Sequence, residues 1–250
     1  MKNKFNYISR PNGVLVECDN MKITFGFLLQ PIYDPSTTKI KYLEFLSRVE
    51  NDISVLDNEM FFSNIDDEVI KNVCLKQLLY AKRKRINKPV SVNITLSCLM
   101  DDNFILDLTL LSDLDFALEI NDIKHSYINE KIIKNINFLK SKGVAIWLDD
   151  FYSSGNEGIL TLGIIPWDYI KIDKSFLWHN CEDSSAVVAI TGVLGAYTKS
   201  GLIFEGVETE LHESCVKQAK SLAQGFLRSH PKTWEELDQT YRNTKIQPTF

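Results

Sequence analysis

The chain has 250 residues, 44% of them hydrophobic and 24% charged, and its 28 basic and 33 acidic side chains give a net charge of -5. This composition is that of an ordinary globular protein, and the acidic balance argues against broad nucleic-acid binding. No apolar run approaches the ~18–20 residues of a membrane span, and the five dispersed cysteines indicate no disulfide framework, so we expect a cytoplasmic protein.

Short apolar runs rich in β-branched and aromatic residues predict strands along the whole chain. They lie at 23–33, 40–48, 89–95, 116–120, 144–151, 167–173, 201–208 and 222–226. Longer amphipathic stretches between them predict helices, at 65–85, 128–143, 184–201 and 210–223. In the second of these helices isoleucines recur at close to helical spacing, and Gly143 is placed to end the helix.

Strands that alternate with helices of this length predict βα units and a mostly parallel sheet. Eight candidate strands in one uninterrupted series favour a closed, TIM-like (β/α)8 barrel of the α/β class over residues 22–245. The first two strands flank the turn-rich segment 34–39, so we expect an antiparallel hairpin that makes the barrel irregular. Residues 1–21 are expected to form an N-terminal extension, with a small hairpin around the Pro11–Asn12–Gly13 turn.

Polar residues lie near the carboxyl ends of the predicted central strands. Because these strand ends open into one mouth in an α/β barrel, their side chains are expected to converge. The set comprises Glu44, Asn93, Glu119, Asp149, Asp150, Lys171, Glu205, Glu208 and Gln224. Burying isolated carboxylates costs several kcal/mol each unless they are paired or bind metal. A mouth with so many acids therefore predicts a bound cation.

Oxygen donors without cysteine suit Mg²⁺ or Mn²⁺, and the number of acids is enough for two ions that share a bridging aspartate. Two such ions stabilise the attacking and leaving oxygens of phosphoryl transfer, so the residues predict a metal-dependent phosphodiesterase or a related hydrolase. At any single position a structural role is the stronger interpretation. Asp149 and Asp150 could cap a following helix, and Lys171 with Asp173 could form a surface pair. The repetition across successive strands favours the metal site.

Two other features receive no predicted function. The basic run Lys82–Arg85 closes a predicted helix, where cations complement the helix dipole and face solvent, so we do not interpret it as a nucleic-acid site. Trp178 and Trp234 could cover the barrel ends or contact a partner, and the sequence does not choose between these roles.

An ordered series of short segments surrounds the polar positions. It comprises Gln30-Pro31-Ile32, Glu44-Phe45-Leu46-Ser47-Arg48, Ser91-Val92-Asn93, Glu119-Ile120-Asn121-Asp122, Asp149-Asp150-Phe151, Lys171-Ile172-Asp173, Glu205-Gly206-Val207-Glu208 and Gln224-Gly225-Phe226. From about Phe25 to Pro231 this series resembles the EAL-domain family of cyclic-di-GMP phosphodiesterases. The resemblance implies hydrolysis of one phosphodiester bond of cyclic-di-GMP, which gives linear pGpG, by metal-activated water without a covalent intermediate.

The resemblance also implies a role for each matching residue. The first of two Mg²⁺ or Mn²⁺ ions would be held by Glu44, Asn93, Glu119 and Asp149. The second would be held by Asp149, Asp150 and Glu205, with Asp149 as the bridge. Lys171 would orient or help activate the attacking water, so the implied catalytic set is Lys171, Glu205, Glu44 and Asp150. Arg48, Gln30 and Gln224 would bind substrate, and Asp122, Asp173 and Glu208 would support the site.

Three features depart from the family pattern. Phe45 replaces the alanine of the signature, which is harmless if its ring packs outward from the barrel. Asp122 replaces a glutamate that steadies the loop after the double aspartate in the family. That loop, at 152–158, is one residue longer here, and Tyr152 stands where the family has a glycine, which permits backbone angles that tyrosine resists.

Two hypotheses for function follow. The first is an active cyclic-di-GMP phosphodiesterase, because every expected metal ligand and the lysine are present. The second is a catalytically weak or inactive protein of this kind that senses cyclic-di-GMP or binds a regulator, which the altered loop favours. The resemblance further implies a homodimer, and either a stand-alone enzyme or the excised output domain of a longer protein.

Overall fold

The computed structural model describes residues 5–18, 21–62, 64–121, 123–153 and 157–245. Its strands are β1 (Asn6–Arg10), β2 (Gly13–Cys18), β3 (Met21–Asp34), β4 (Lys39–Glu50), β5 (Val90–Thr95), β6 (Phe116–Asn121), β7 (Ala145–Phe151), β8 (Trp167–Ile172), β9 (Thr198–Phe204) and β10 (Leu222–Ala223). Its helices are α1 (Asn58–Phe62), α2 (Asp67–Lys84), α3 (Asp102–Thr109), α4 (Glu130–Ser141), α5 (Lys174–Asn180), α6 (Ser184–Gly195), α7 (Glu210–Gln218) and α8 (Trp234–Lys245).

Strands β3 to β10 close into a barrel, as the sequence predicts. Strands β4 to β10 pair in parallel in chain order. Strand β3 closes the ring because it pairs antiparallel with β4 on one side and with β10 on the other. The hairpin expected around segment 34–39 is therefore confirmed, and it makes one strand of an otherwise parallel barrel run in the opposite direction.

The N-terminal hairpin is also present, and it joins the barrel sheet. Strands β1 and β2 pair antiparallel across the turn at Pro11 and Asn12. Strand β2 pairs in turn with the first part of β3, from Gly13 opposite Gly26 to Cys18 opposite Met21. The hairpin thus extends the sheet outward from the one reversed strand.

Four predicted elements end more than two residues earlier than expected. Two of them are the helix over 210–223, which stops at Gln218, and the strand over 222–226, which stops at Ala223. The helix expected over 184–201 stops at Gly195, and β9 begins at Thr198. The strand expected over 201–208 stops at Phe204, so Glu205 follows the strand instead of lying in it. The segment from Ala196 to Ser200 is too short for its hydrophobic pattern to distinguish helix from strand.

Helix ends follow local chemistry. Asp66 accepts a hydrogen bond from the backbone N–H of Glu68 at the start of α2, and Asn129 does the same for Ile132 at the start of α4. Gly143 follows α4 in the left-handed conformation, with φ of +89°, as its predicted role as a stop requires. Among the described residues, none of the helices combines the length and the apolar character needed to cross a bilayer.

Side chains alternate between the barrel lumen and the helical layer, because strands have a period of two. Phe45 faces the helical layer, where its ring meets Phe27 and Tyr80 edge-on at centroid distances of 6.1 and 6.0 Å. Phe45, which replaces the alanine of the family signature, therefore packs outward from the barrel and leaves the lumen unobstructed. Facing the lumen instead, Tyr42, Trp147 and Tyr169 form a T-shaped aromatic cluster, with centroid distances of 4.7, 5.3 and 5.9 Å. We call these three residues the aromatic layer.

Candidate active site

The polar mouth lies directly above the aromatic layer on the same strands. Two residues beyond Tyr42, Trp147 and Tyr169, strands β4, β7 and β8 present Glu44, Asp149 and Lys171 to the lumen. Glu119 adds a carboxylate from β6, Asp150 one from the end of β7, and Glu205 one from just after β9. We call the five carboxylates of Glu44, Glu119, Asp149, Asp150 and Glu205 the acidic cluster.

Lys171 is the hub of this arrangement. Its side chain is only 1% exposed, and the ammonium nitrogen Nζ contacts four carboxylates of the acidic cluster. The distances are 2.5 Å to Glu119 Oε2, 2.8 Å to Glu205 Oε1, 3.1 Å to Asp149 Oδ1 and 3.3 Å to Glu44 Oε2. One cation therefore holds acids from four different parts of the barrel wall.

Amides complete the surroundings of Glu44. Asn93 Nδ2 donates to Glu44 Oε1 at 2.9 Å, and Gln224 Nε2 donates to Glu44 Oε2 at 2.5 Å. Gln224 Nε2 also lies 3.3 Å from Gln30 Oε1, and Gln30 Nε2 donates to the carbonyl oxygen of Ser229 at 3.2 Å. The structure thus brings both glutamines and the asparagine to the first carboxylate of the acidic cluster.

Burial and mutual repulsion perturb these acids strongly. Desolvation, followed by the charge of Glu44, raises the pKa of Glu119 well above its usual value, and desolvation raises the pKa of Asp149. The neighbouring Asp149 charge, with burial second, raises the pKa of Asp150 to about 7, and burial raises the pKa of Glu205 to about 8. Burial opposes the charge of Lys171, but the four carboxylates prevail and raise its pKa. One lysine leaves the acidic cluster short of positive charge.

The donor set fits a divalent cation. Asp149, Asp150 and Glu205 each place a carboxylate oxygen within 4.8 Å of those of the other two. Glu119 Oε1 is buried and has no hydrogen-bond partner in the described part of the chain. A buried carboxylate oxygen without a donor is costly unless a cation faces it. Hard oxygen ligands of this kind suit Mg²⁺, Mn²⁺ or Ca²⁺.

Several predicted site residues lie outside this contact network. Arg48 is exposed and pairs with Glu50 at 2.7 Å. Glu208 is exposed, and its backbone N–H donates to His212. Asp173 caps α5, since its side chain accepts from the backbone N–H of Ser175. Asp122 lies outside the described residues, as do positions 154–156 of the altered loop.

The backbone that leads into that loop is described, and it is strained at two residues. Asp150 and Tyr152 have φ of +52° and +85°, a region that L-residues other than glycine rarely occupy. Tyr152 therefore retains the kind of conformation that a glycine adopts freely. Its ring, which is half exposed, packs edge-on against Phe176 at 5.1 Å, which offsets part of the cost.

Sequence reasoning missed the contact made by Trp178. Its indole N–H donates to the carbonyl oxygen of Gly206 at 2.9 Å, directly after Glu205. No spacing rule relates position 178 to position 206. The available signal was a tryptophan five residues after Asp173, which is too common to be diagnostic.

Fold and site together define an α/β barrel protein whose mouth is suited to divalent cations. Residues 20–231 match the family model of the EAL domain, and the chain belongs to this family. The cyclic di-GMP phosphodiesterase TpdA of Vibrio parahaemolyticus is 28% identical over 193 residues, a match that covers 74% of this chain and 33% of TpdA. Two further curated relatives are covered over 20% and 25% of their length. The chain thus spans about a third or less of these relatives.

Solved structures support the same architecture. The EAL domain of DcpA from Mycobacterium smegmatis has a TM-score of 0.71 at 23% identity, and the match covers 89% of this chain and 99% of that one. A manganese and cyclic-di-GMP complex of BlrP1 from Klebsiella pneumoniae has a TM-score of 0.64 at 22% identity, covering 84% of this chain and 56% of that one. At these identities the likeness establishes the fold.

Proposed function

We propose that this chain is a metal-dependent phosphodiesterase that hydrolyses one phosphodiester bond of cyclic-di-GMP and releases linear pGpG. The carrying observation is the acidic cluster gathered around one buried lysine at the mouth of an EAL-family barrel. Support also comes from the relative TpdA, which is a cyclic di-GMP phosphodiesterase, and from the BlrP1 complex, which contains cyclic-di-GMP. The activity would lower the level of a bacterial second messenger in the cytoplasm.

We propose two Mg²⁺ or Mn²⁺ ions as cofactors. Glu44, Asn93, Glu119 and Asp149 would hold one ion, and the unpartnered oxygen of Glu119 supports this assignment. Asp149, Asp150 and Glu205 would hold the other. When bound, the ions supply an acidified water and charge stabilisation at the phosphoryl group.

The residues of the chain then have distinct tasks. Lys171, fixed by its carboxylate contacts, would orient the attacking water, and its permanent charge prevents it from acting as a base. The water oxygen forms the new bond to phosphorus while the bond from phosphorus to the ribose oxygen breaks, and the proton that the water loses balances the proton that the leaving ribose oxygen gains. Arg48, on the exposed rim, would pair with a substrate phosphate in place of Glu50. Gln30 and Gln224 would contact the substrate beside Glu44.

We further propose a homodimer through the surface beside the altered loop. Exposed apolar side chains occur there in Ile159 and Ile164 and in Val193 of α6. The two segments are neighbours, because a Cβ built at Gly163 would lie 4.0 Å from the Tyr197 ring. Sedimentation should show a dimer that Val193→Asp dissociates, whereas a monomeric wild-type chain would contradict this proposal.

The decisive test of function is a turnover assay with cyclic-di-GMP and either Mg²⁺ or Mn²⁺, with pGpG measured directly. We expect turnover by the wild-type chain and none by Glu44→Ala, which should remain folded by circular dichroism. A wild-type chain that binds cyclic-di-GMP but releases no pGpG with either metal would overturn the proposal. That result would favour the second hypothesis, a sensor or regulator-binding protein, for which the strained backbone at Tyr152 is the supporting feature.

A further inference from the structure

Hydrogen bonds restrain the backbone at Glu205 and at the two residues that follow it. The Glu205 N–H donates to the carbonyl of Ile172 at 3.1 Å, and the N–H of Val207 donates to the carbonyl of Gln224 at 3.0 Å. Between these two backbone contacts lies the carbonyl of Gly206, which accepts from Trp178 Nε1 at 2.9 Å. The middle contact therefore comes from a side chain, while the flanking ones come from the barrel backbone.

The Gly206 carbonyl has a second neighbour in His212. The Nδ1 atom of His212 lies 3.1 Å from the Gly206 oxygen and 3.3 Å from the backbone nitrogen of Glu208, and the tautomer of the ring decides which of the two it bonds. The indole N–H of Trp178 donates to the Gly206 carbonyl with either tautomer.

Gly206 is fitted to the tryptophan. Its φ is +66°, and a Cβ at this position would lie 2.8 Å from Trp178 Nε1 and 2.4 Å from the Cβ of Lys174. Only glycine allows helix α5 to approach this closely. Trp178 is nevertheless 44% exposed, and the ammonium of Lys174 lies 5.6 Å from its ring centroid. The N–H edge of the ring is the part that contacts Gly206.

We propose that Trp178 is a positioning residue that fixes Glu205 for the ion shared with Asp149 and Asp150. The inference rests on the proposed metal site. The side chain of Glu205 is 23% exposed and contacts Lys171. Its orientation also depends on the position of the backbone that carries it. Loss of the indole N–H removes one hydrogen bond from the Gly206–Val207 peptide, so the backbone that carries Glu205 is held less firmly. Substitution of residues that hold a metal ligand in place without touching the metal typically lowers metal affinity by about 10–100-fold.

The test compares Mn²⁺ binding by the full chain and by Trp178→Phe, with calorimetry for affinities and electron paramagnetic resonance for the coupling between two ions. We expect about tenfold weaker binding of one ion, unchanged affinity of the other, and loss of the spin coupling at Mn²⁺ concentrations that fill both sites in the wild type. Trp234→Phe, in α8, is the matched control and should bind Mn²⁺ as the wild type does.

A second substitution separates the hydrogen bond from ring packing. Benzothienylalanine at position 178 keeps the bicyclic shape and replaces the N–H with sulfur, so it should reproduce the metal defect while the unfolding temperature stays within about 1 °C of the wild type. Equal Mn²⁺ affinities in all variants would overturn the role of Trp178 and leave the phosphodiesterase proposal intact. A wild-type chain without Mn²⁺ binding would instead overturn the metal site itself, and the present inference with it.

Discussion

The two levels of the barrel lumen use the same strands for opposite purposes. On β4, β7 and β8 the lower residue belongs to the aromatic layer and the residue two positions further is Glu44, Asp149 or Lys171. Glu44, Asp149 and Lys171 are buried, and in the aromatic layer Trp147 is fully buried while Tyr42 and Tyr169 are partly buried. The aromatic layer gains free energy by burial and edge-to-face contacts, whereas the acidic cluster loses free energy by desolvation and repulsion.

This difference shows how a barrel carries a costly site. A step of two residues along a strand keeps the side chain in the lumen, so the aromatic layer forms a rigid floor under the charged groups. The charged groups are then restrained by Lys171 from inside and by the floor from below. Stability and reactivity are thus separated by one step along each strand, which substitutions on the two levels can test.

The largest effect is expected from Lys171→Met. Removing the one cation leaves the acidic cluster without its hub, and breaking a buried ion pair costs about 3–5 kcal/mol. The metal-free variant should lose that much unfolding free energy in urea, and turnover should fall by about 10²-fold even with saturating Mg²⁺, because the attacking water is no longer oriented. Lys140→Met provides a control, because Lys140 pairs with Asp168 away from the acidic cluster. Undiminished turnover in Lys171→Met would contradict the assigned role.

On the other level, Trp147→Ala should act on stability first. Truncating a fully buried tryptophan costs about 3–5 kcal/mol of unfolding free energy. Because the ring touches no member of the acidic cluster by hydrogen bond or ion pair in the described chain, kcat of the folded fraction should fall far less than in Lys171→Met. Equal losses of kcat in the two variants would show that the levels are not separable.

The pH dependence of stability should reveal the cost of the acidic cluster. The pKa of Asp150 is raised to about 7, from an ordinary value of 3.8, so between these values the folded state retains a proton that the unfolded state has lost. Unfolding free energy of the metal-free protein should therefore fall as pH rises from about 4 to 7, by on the order of 1–3 kcal/mol from this group. Thermal unfolding of the wild type and Asp150→Asn should show a flatter profile in the variant. A wild-type profile that rises over this range would contradict the raised pKa.

The smallest effect concerns the strained edge of the site. Tyr152→Gly relieves the backbone at φ of +85° but loses the Phe176 contact, so stability should change by less than about 1 kcal/mol. Tyr152→Ala loses the ring and keeps the strain, and it should be about 1–2 kcal/mol less stable than Tyr152→Gly. The difference between the two variants, measured by urea unfolding, isolates the strain. No difference would mean that the loop relaxes.

Much of this arrangement can be predicted from the sequence because it is written in periodic patterns. The lumen-facing acids follow from strand alternation, as Glu44 and Asp149 illustrate. The closure by β3 follows from the turn residues of segment 34–39. By contrast, the sequence wrongly places Glu205 inside the predicted strand over 201–208, whereas β9 ends before it. Strand ends depend on which backbone groups find partners across the sheet. The contact from Trp178 to Gly206 could not be predicted, because it joins helix α5 to the segment after β9, which only the folded barrel brings together.

The internal ammonium of Lys171 has a consequence for the order of events in the cell. A protein whose clustered acids are neutralised only by its metal must bind that metal in order to fold, as small zinc domains do. Here a counter-ion is encoded in the polypeptide, in reach of four carboxylates. The barrel can therefore be synthesised, folded and stored empty, and loaded when cations become available. A chelator should strip it to an intact, reloadable apoprotein.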